Sequence, residues 1–277
     1  MNTLKSTLLL AGMTGLLLFI GQAVGGRSGM TIALLVAAVM NFAAWFWSDK
    51  IVLASYRAQP VGPPEAPELY SIVEGLAHRA GIPIPRLYVI PDPALNAFAT
   101  GRSPSHAAVA ATEGILRALN RDELEGVLAH ELSHVINRDT LTSTVAATLA
   151  GAISWLAHMA YFMPMGRDRD DGPNPLVALL TVLLAPFMAM LIQLAVSRSR
   201  EYEADASGAR LAGHPEGLAG ALRKLQAAAE RIPMRNAEPA TAHLFIVNPL
   251  SGRSLAGLFS THPPLEKRIE RLMLHRG

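Results

Sequence analysis

Ala129-His130-Glu131-Leu132-Ser133-His134-Val135 decides how this chain is read. The pattern is H-E-x-x-H. On an α-helix, residues four apart share a face one turn up. His130 and His134 can therefore aim two imidazole nitrogens at one point, as a tetrahedral Zn²⁺ requires. Glu131 sits beside that point as a base for a water held there. Asn120 reads as the N-cap of this helix, and Glu123 three residues later completes a capping box. Leu124, Val127, Leu128 and Leu132 follow at helical spacing, which predicts a helix over 121–139. Three fixed residues in five arise by chance in about one chain in a hundred, so the motif needs support from elsewhere. Its apolar flanks supply the first support. Val127, Leu128, Leu132, Val135 and Ile136 imply a buried face, where two histidines and a carboxylate need a partner.

Composition sets the surroundings. The chain has 277 residues, 51% of them hydrophobic and 17% charged, against about 25% charged in soluble proteins. It has no cysteine. Thiolate ligands and disulfides are excluded, and a metal must use His, Asp or Glu. Net charge is only +2, with no basic stripe interleaved with aromatics, so a nucleic-acid partner is not expected.

The apolar excess falls into four runs. The first, 6–24, follows Lys5. The second, 29–47, carries no charge and ends in Trp45-Phe46-Trp47, an aromatic belt. Joined by Gly25-Gly26-Arg27-Ser28, they predict a transmembrane hairpin; a cleaved signal peptide is the rival reading of the first run. Runs 141–163 and 176–197, the latter with Pro186 as a kink, predict a second hairpin around the charged turn 166–175. Four spans put both termini and the polar parts, 49–140 and 198–277, on one side. Lys5, Lys50, Arg57, Arg138, Arg198 and Arg200 flank that side, which the positive-inside rule makes cytoplasmic.

Between the hairpins, Pro60, Pro63, Pro64 and Pro67 form a stiff linker, and Pro67 opens a helix closed by Gly81. Residues 84–90, 96–101 and 106–112 read as three strands of a small antiparallel sheet beside the metal helix. An edge strand there can bind substrate backbone by strand addition, with Asn96 and Ala97 as candidates; a turn asparagine is the plain alternative. His78, His106 and His158 read as structural.

A catalytic zinc takes three protein ligands. Position 140 is Thr, so a third histidine six residues on is ruled out. Downstream, the helix 198–212 offers Glu201 and Asp205, four apart on one face, while Glu203 points elsewhere. Glu201 suits the metal. Asp205 suits the other ring N–H of a ligand histidine, which fixes its tautomer. A donor for the oxyanion is also needed. His262, before the Pro263-Pro264 helix start, is the first candidate and Arg268 a weaker one; His214 and His243 are fallbacks. A turn histidine is the plain alternative for His262.

Taken in order, several stretches give the chain a family resemblance over nearly its whole length. They are Asn96-Ala97-Phe98-Ala99-Thr100-Gly101, His130 to Val135 with Asn137-Arg138-Asp139, Ser199-Arg200-Glu201-Tyr202-Glu203-Ala204-Asp205, Asn248-Pro249-Leu250, and Ser260-Thr261-His262-Pro263-Pro264-Leu265. The chain resembles the HtpX-type membrane zinc metalloproteases of bacteria, relatives of the CAAX prenyl endoproteases. The resemblance implies one Zn²⁺ on His130, His134 and Glu201, with Glu131 as base and Asp205 behind a ligand. It implies Asn96 and Ala97 on the substrate strand, and His262 with Arg268 near the oxyanion. The implied architecture is a mainly α integral membrane protein. It has transmembrane hairpins at 1–48 and 141–197 and a cytoplasmic α+β, zincin-like catalytic domain with a small sheet, split between 49–140 and 198–277. The implied role is endoproteolysis of misfolded or damaged membrane proteins at the bacterial inner membrane, often under stress. Protein substrates and the lipid bilayer are its partners. A zinc-stabilised scaffold without catalysis is a rival; Glu131 counts against it, because a structural site needs no base. A transporter fails because the motif lies outside the spans. A prenyl-protein protease is the near alternative, though more spans would be expected of it.

Overall fold

Two glycines break the N-terminal helical stretch. Asn2–Ser55 is continuous except at Gly25 and Gly26, whose φ of 56° at Gly26 suits only a residue without Cβ. The result is two antiparallel arms, α1 (2–24) and α2 (27–55). They touch closely near the turn, where a Cβ on Gly29 would stand 2.2 Å from the Gly21 carbonyl oxygen. Further down, Asn41 Nδ2 donates to Thr14 Oγ1 at 2.9 Å. Both arms are long and apolar enough to cross a membrane. The computed structural model describes residues 2–162, 197–229, 231–234, 240–247 and 263–274.

After α2 come β1 (Gln59–Val61), α3 (Pro67–Ala80), β2 (Arg86–Ile90), β3 (Ala97–Gly101), β4 (Ala107–Thr112) and α4 (Glu113–Ala118). Then follow the metal helix α5 (Arg121–Ile136), α6 (Thr140–Phe162), α7 (Arg198–Ala212), α8 (Glu216–Ala229) and α9 (Leu265–Leu274). α5 starts where expected, with the Asn120–Glu123 capping box formed in both directions. It stops three residues early: Arg138 takes φ 58° and turns the chain into α6. α6 packs against the hairpin through Leu9, Met13, Ala44, Val145, Leu149 and Ile153. Ser6 and Thr142 hydroxyls meet at 3.0 Å, so the N-terminus lies beside the end of the metal helix. The second hairpin is thus described only through α6; residues 176–196 of the fourth run lie outside the described residues, as does the turn 166–175.

The sheet is mixed, not antiparallel, with order β1-β2-β4-β3. β2 and β4 are parallel, while β1 pairs with β2 and β3 with β4 in the antiparallel sense. β1 comes from the proline-rich linker. Alternation of side chains reports which face a residue takes, never its neighbour across the ladder. Here even the faces were hidden, because both are buried. Ala107, Val109 and Ala111 join the core formed with α3, α5 and α8. Ala108 and Ala110 join Ile90 and Phe98 in a second core against Val52, Leu53, Tyr56 and Phe245. One face of the sheet is therefore seated on the end of the N-terminal hairpin.

Candidate active site

The metal helix is buried on nearly every side, and α7 crosses it without a spacer. A Cβ at Gly208 would stand 2.9 Å from both the Cα and N of His130. That close approach carries Glu201, two turns earlier on α7, to the two histidines. His130 Nε2 and His134 Nε2 are 3.3 Å apart. Glu201 Oε2 is 3.8 Å from the first and Glu201 Oε1 3.5 Å from the second. A tetrahedral ion with bonds of about 2.0–2.2 Å spaces its donors about 3.3–3.6 Å apart. These three side chains alone, among the described residues, form such a cluster.

The back of each imidazole is tied to a carboxylate. His130 Nδ1 meets Asp205 Oδ1 at 3.0 Å, and His134 Nδ1 meets Asp139 Oδ2 at 3.4 Å. Each bond puts the proton on Nδ1 and leaves the Nε2 lone pair facing the other. Two Nε2 atoms at 3.3 Å with a carboxylate beside them make a seat for positive charge, a metal ion when bound or a proton on His134 without it. The protonation energetics agree. Burial lowers His130 to about 4, helped by the Arg268 cation and opposed by Asp205. Burial would lower His134 too, but Asp139, Glu201 and Glu131 outweigh it and raise it to about 9. The donor set fits zinc, and without the metal a proton on His134 supplies part of the missing charge.

Glu131 is 3% exposed. Burial raises it to about 8, with Glu201 adding to the effect and His134 opposing it. Its Oε2 accepts the Ala99 N–H at 2.9 Å. Glu131 is thereby held between the metal cluster and β3, the sheet edge.

Comparison with known proteins gives this geometry a family. Residues 63–275 match the model of peptidase family M48. The chain belongs to that family. It is 59% identical to the protease HtpX homolog of Desulfatibacillum aliphaticivorans, over 98% of this chain and 89% of that one. The HtpX homolog of Pyrococcus furiosus is 56% identical, over 97% of this chain and 94% of its own. The fold also matches the crystal structure of S. mikatae Ste24p, with a TM-score of 0.50 and 21% identity. The match covers 98% of this chain but only 64% of Ste24p. As an M48 peptidase the chain is a metalloprotease, and zinc is its metal.

One expected role changes. Arg268 does not face the cavity. It is the largest fully buried side chain among the described residues, with 0% exposure. Nε and Nη2 donate to the two oxygens of Asp205 at 2.9 and 2.7 Å, and Nη1 donates to the Ile246 carbonyl at 3.1 Å. A guanidinium so occupied cannot serve an oxyanion. It locks Asp205, and through it His130. His262 lies outside the described residues. His243 lines the cavity, yet its Nε2 donates to the Ser143 carbonyl at 3.0 Å, so the proton an oxyanion would need is on the far nitrogen. His214 stands away from the cluster, against Gly217.

Two supporting residues had no assigned role in the sequence. Asp139 holds His134, and Arg200 Nη1 donates to Asp139 Oδ1 at 3.0 Å. Their only signal was position: an aspartate five residues after His134 and an arginine just before Glu201. Gly208 gave no signal at all. Gly208→Ala is expected to push α7 off His130 and weaken zinc retention at least about tenfold, the scale of lost support behind a ligand. Competition against a chelator measures it; unchanged zinc affinity would show that α7 tolerates the added methyl.

Proposed function

We propose that the chain is a membrane-anchored zinc endopeptidase that cuts unfolded stretches of membrane proteins, with its active site on the cytoplasmic side. The observation that carries this is the placement of Glu131, buried beside the three metal donors and bonded to the sheet edge where a peptide backbone would lie. Zinc, held by His130, His134 and Glu201, would supply the Lewis acid that polarises a peptide carbonyl and acidifies a water. Glu131 takes the water's proton and hands it to the departing amine. Without metal, burial raises Glu131 to about 8; a bound cation would lower it, toward a range in which it can both accept and release a proton. Asp205 and Asp139 keep the two imidazoles aimed, and Arg268 keeps Asp205 ionised. His262 stays the proposed oxyanion donor.

Three features support the membrane side of the reading. Both arms of the hairpin are exposed and apolar. The Ser6–Thr142 contact puts the N-terminus on the catalytic side. Lys5 and Lys50 lie at that end, as the positive-inside rule wants for the cytoplasm. The test is cleavage of a lipid-reconstituted, unfolded membrane protein by the purified full chain after chelation and after zinc re-addition. Zinc-dependent cutting of the unfolded substrate, with its folded form spared, is expected. Stoichiometric zinc without any cleavage would sink the endopeptidase reading in favour of a zinc-stabilised scaffold.

A further inference from the structure

The cavity at the metal donors is small for a peptidase. It measures about 40 Å³, room for a few waters and no peptide. One wall is β3, with Ala99 and Glu131. The facing wall is His243, Leu244, Phe245 and Ile246, a stretch of the chain's own backbone.

That stretch is not packed there as a side chain would be. It leaves a 3-10 turn, Ala242–Leu244, and then passes the edge of β3 with one backbone bond of the kind a strand makes. Ile246 N–H donates to the Ala97 carbonyl at 3.3 Å. One residue on, Asn96 Nδ2 donates to the Val247 carbonyl at 2.8 Å, and Val247 N–H reaches Asn96 Oδ1 at 3.4 Å. Residue 97 thus faces 246 and residue 96 faces 247, so the two backbones run antiparallel. Backbone groups on a strand alternate sides. Asn96 O already accepts from Thr112 on β4, which leaves the groups of Ala97 and Ala99 on the outer edge. The first is taken by Ile246 and the second by Glu131. An incoming extended peptide on this edge would need the same Ala97 carbonyl.

We propose that Phe245–Val247 is an inhibitory segment, an internal competitor that occupies the substrate's place on β3 and must leave for a peptide to bind. The inference rests on the reading of His130, His134, Glu201 and Glu131 as a peptidase centre. Its backbone hold on β3 is slight, a single bond among the described residues and no ladder, but its side chains are core, with Phe245 0% and Ile246 1% exposed, so a displacing peptide must supply comparable apolar contact. Arg268 holds the Ile246 carbonyl. Phe245 packs edge-on against Tyr56, centroids 5.0 Å apart, and against Phe98 at 5.2 Å. The Tyr56 and Thr241 hydroxyls bond to each other. Tyr56 directly follows α2, so the segment is anchored to the cytoplasmic-side end of the membrane hairpin.

The experiment uses the full chain, zinc-loaded in detergent, and a short extended fluorogenic peptide. Ile246→Pro removes the donor to Ala97 while leaving every catalytic residue intact. Loss of one backbone bond is expected to lower KM roughly fivefold with kcat and zinc content unchanged. Hydrogen exchange on zinc-loaded Glu131→Gln, which leaves the segment's sequence unaltered, gives an independent reading. Saturating peptide is expected to speed exchange of the 245–247 amides while those of α5 stay protected. Exchange there that is unchanged or slowed by bound peptide overturns the proposal, and the peptidase reading survives if the native chain cuts. A native chain and an Ile246→Pro chain that both hold zinc and cut nothing overturn the peptidase reading and the inhibitory segment together. If Ile246→Pro does not fold, exchange decides alone.

Discussion

Glu131→Gln is expected to bind zinc as the native chain does and to cut about 10²- to 10⁴-fold more slowly, the range a positioned general base contributes. The amide keeps the shape of the carboxylate. Its oxygen can still accept the Ala99 N–H that now reaches Glu131 at 2.9 Å, so the edge strand and the cavity wall stay in place. Binding should survive for the same reason: the donors are His130, His134 and Glu201, and none of them changes. What is lost is a group able to carry a proton from water to the leaving nitrogen. A carboxyl can cycle between its two forms, and glutamine has one. Zinc per chain and kcat, measured on one preparation, check both halves. Loss of zinc together with activity would mean that Glu131 supports the metal site rather than the chemistry.

Arg268→Met is expected to be the most destabilising single change, at about 3–5 kcal/mol, because it leaves Asp205 buried without a counter-charge. Asp205 is 3% exposed and Arg268 0%. Arg268→Lys should not rescue it. A lysine ammonium cannot bond both Asp205 oxygens and the Ile246 carbonyl in the geometry a planar fork allows. Adding Asp205→Asn to Arg268→Met should recover part of the loss, since no buried charge is then stranded. Acid gives a second readout. Burial would raise Asp205, but Arg268 and His130 outweigh it and hold it at about 2, below the ordinary value near 3.9. A group depressed in the folded state stabilises fully above its unfolded value. The stabilisation is then lost as pH falls through about 4 towards about 2. The amount is on the order of 2 kcal/mol. Melting measured between pH 5 and 3 should show this decline in the native chain and not in Arg268→Met. A native chain with no such slope would mean that the pair is already broken in the resting protein.

The metal-donor cluster was legible in the sequence because it is carried by helices. A helix repeats every 3.6 residues whatever surrounds it, so His130 and His134 share a face, and Glu201 and Asp205 share another, before any tertiary contact exists. Capping has the same local character: Asn120 and Glu123 bond to backbone within their own first turn. The Gly25-Gly26 break between two apolar runs is likewise local, since the turn needs the positive φ that Gly26 takes. Zinc followed from residue chemistry, with thiolates excluded and two histidines needing one more hard donor.

Tertiary structure decided what depends on which strangers meet. Arg268 looked like an oxyanion donor because an arginine near a histidine motif is free to point anywhere. Only packing α9 under α7 turns it onto Asp205, at 2.7 and 2.9 Å. The sheet's order was closed to inspection because β3 and β4 are buried on both faces, which erases the alternation that sets register. Gly208 says nothing until α7 lies 2.9 Å from His130. The occupied edge of β3 joins Asn96 to Val247 across 151 positions of chain. Periodicity along a helix or strand is enforced by the backbone within a few residues and is written in the sequence. A contact between distant segments is enforced by the packing of the whole core, and no local pattern encodes it.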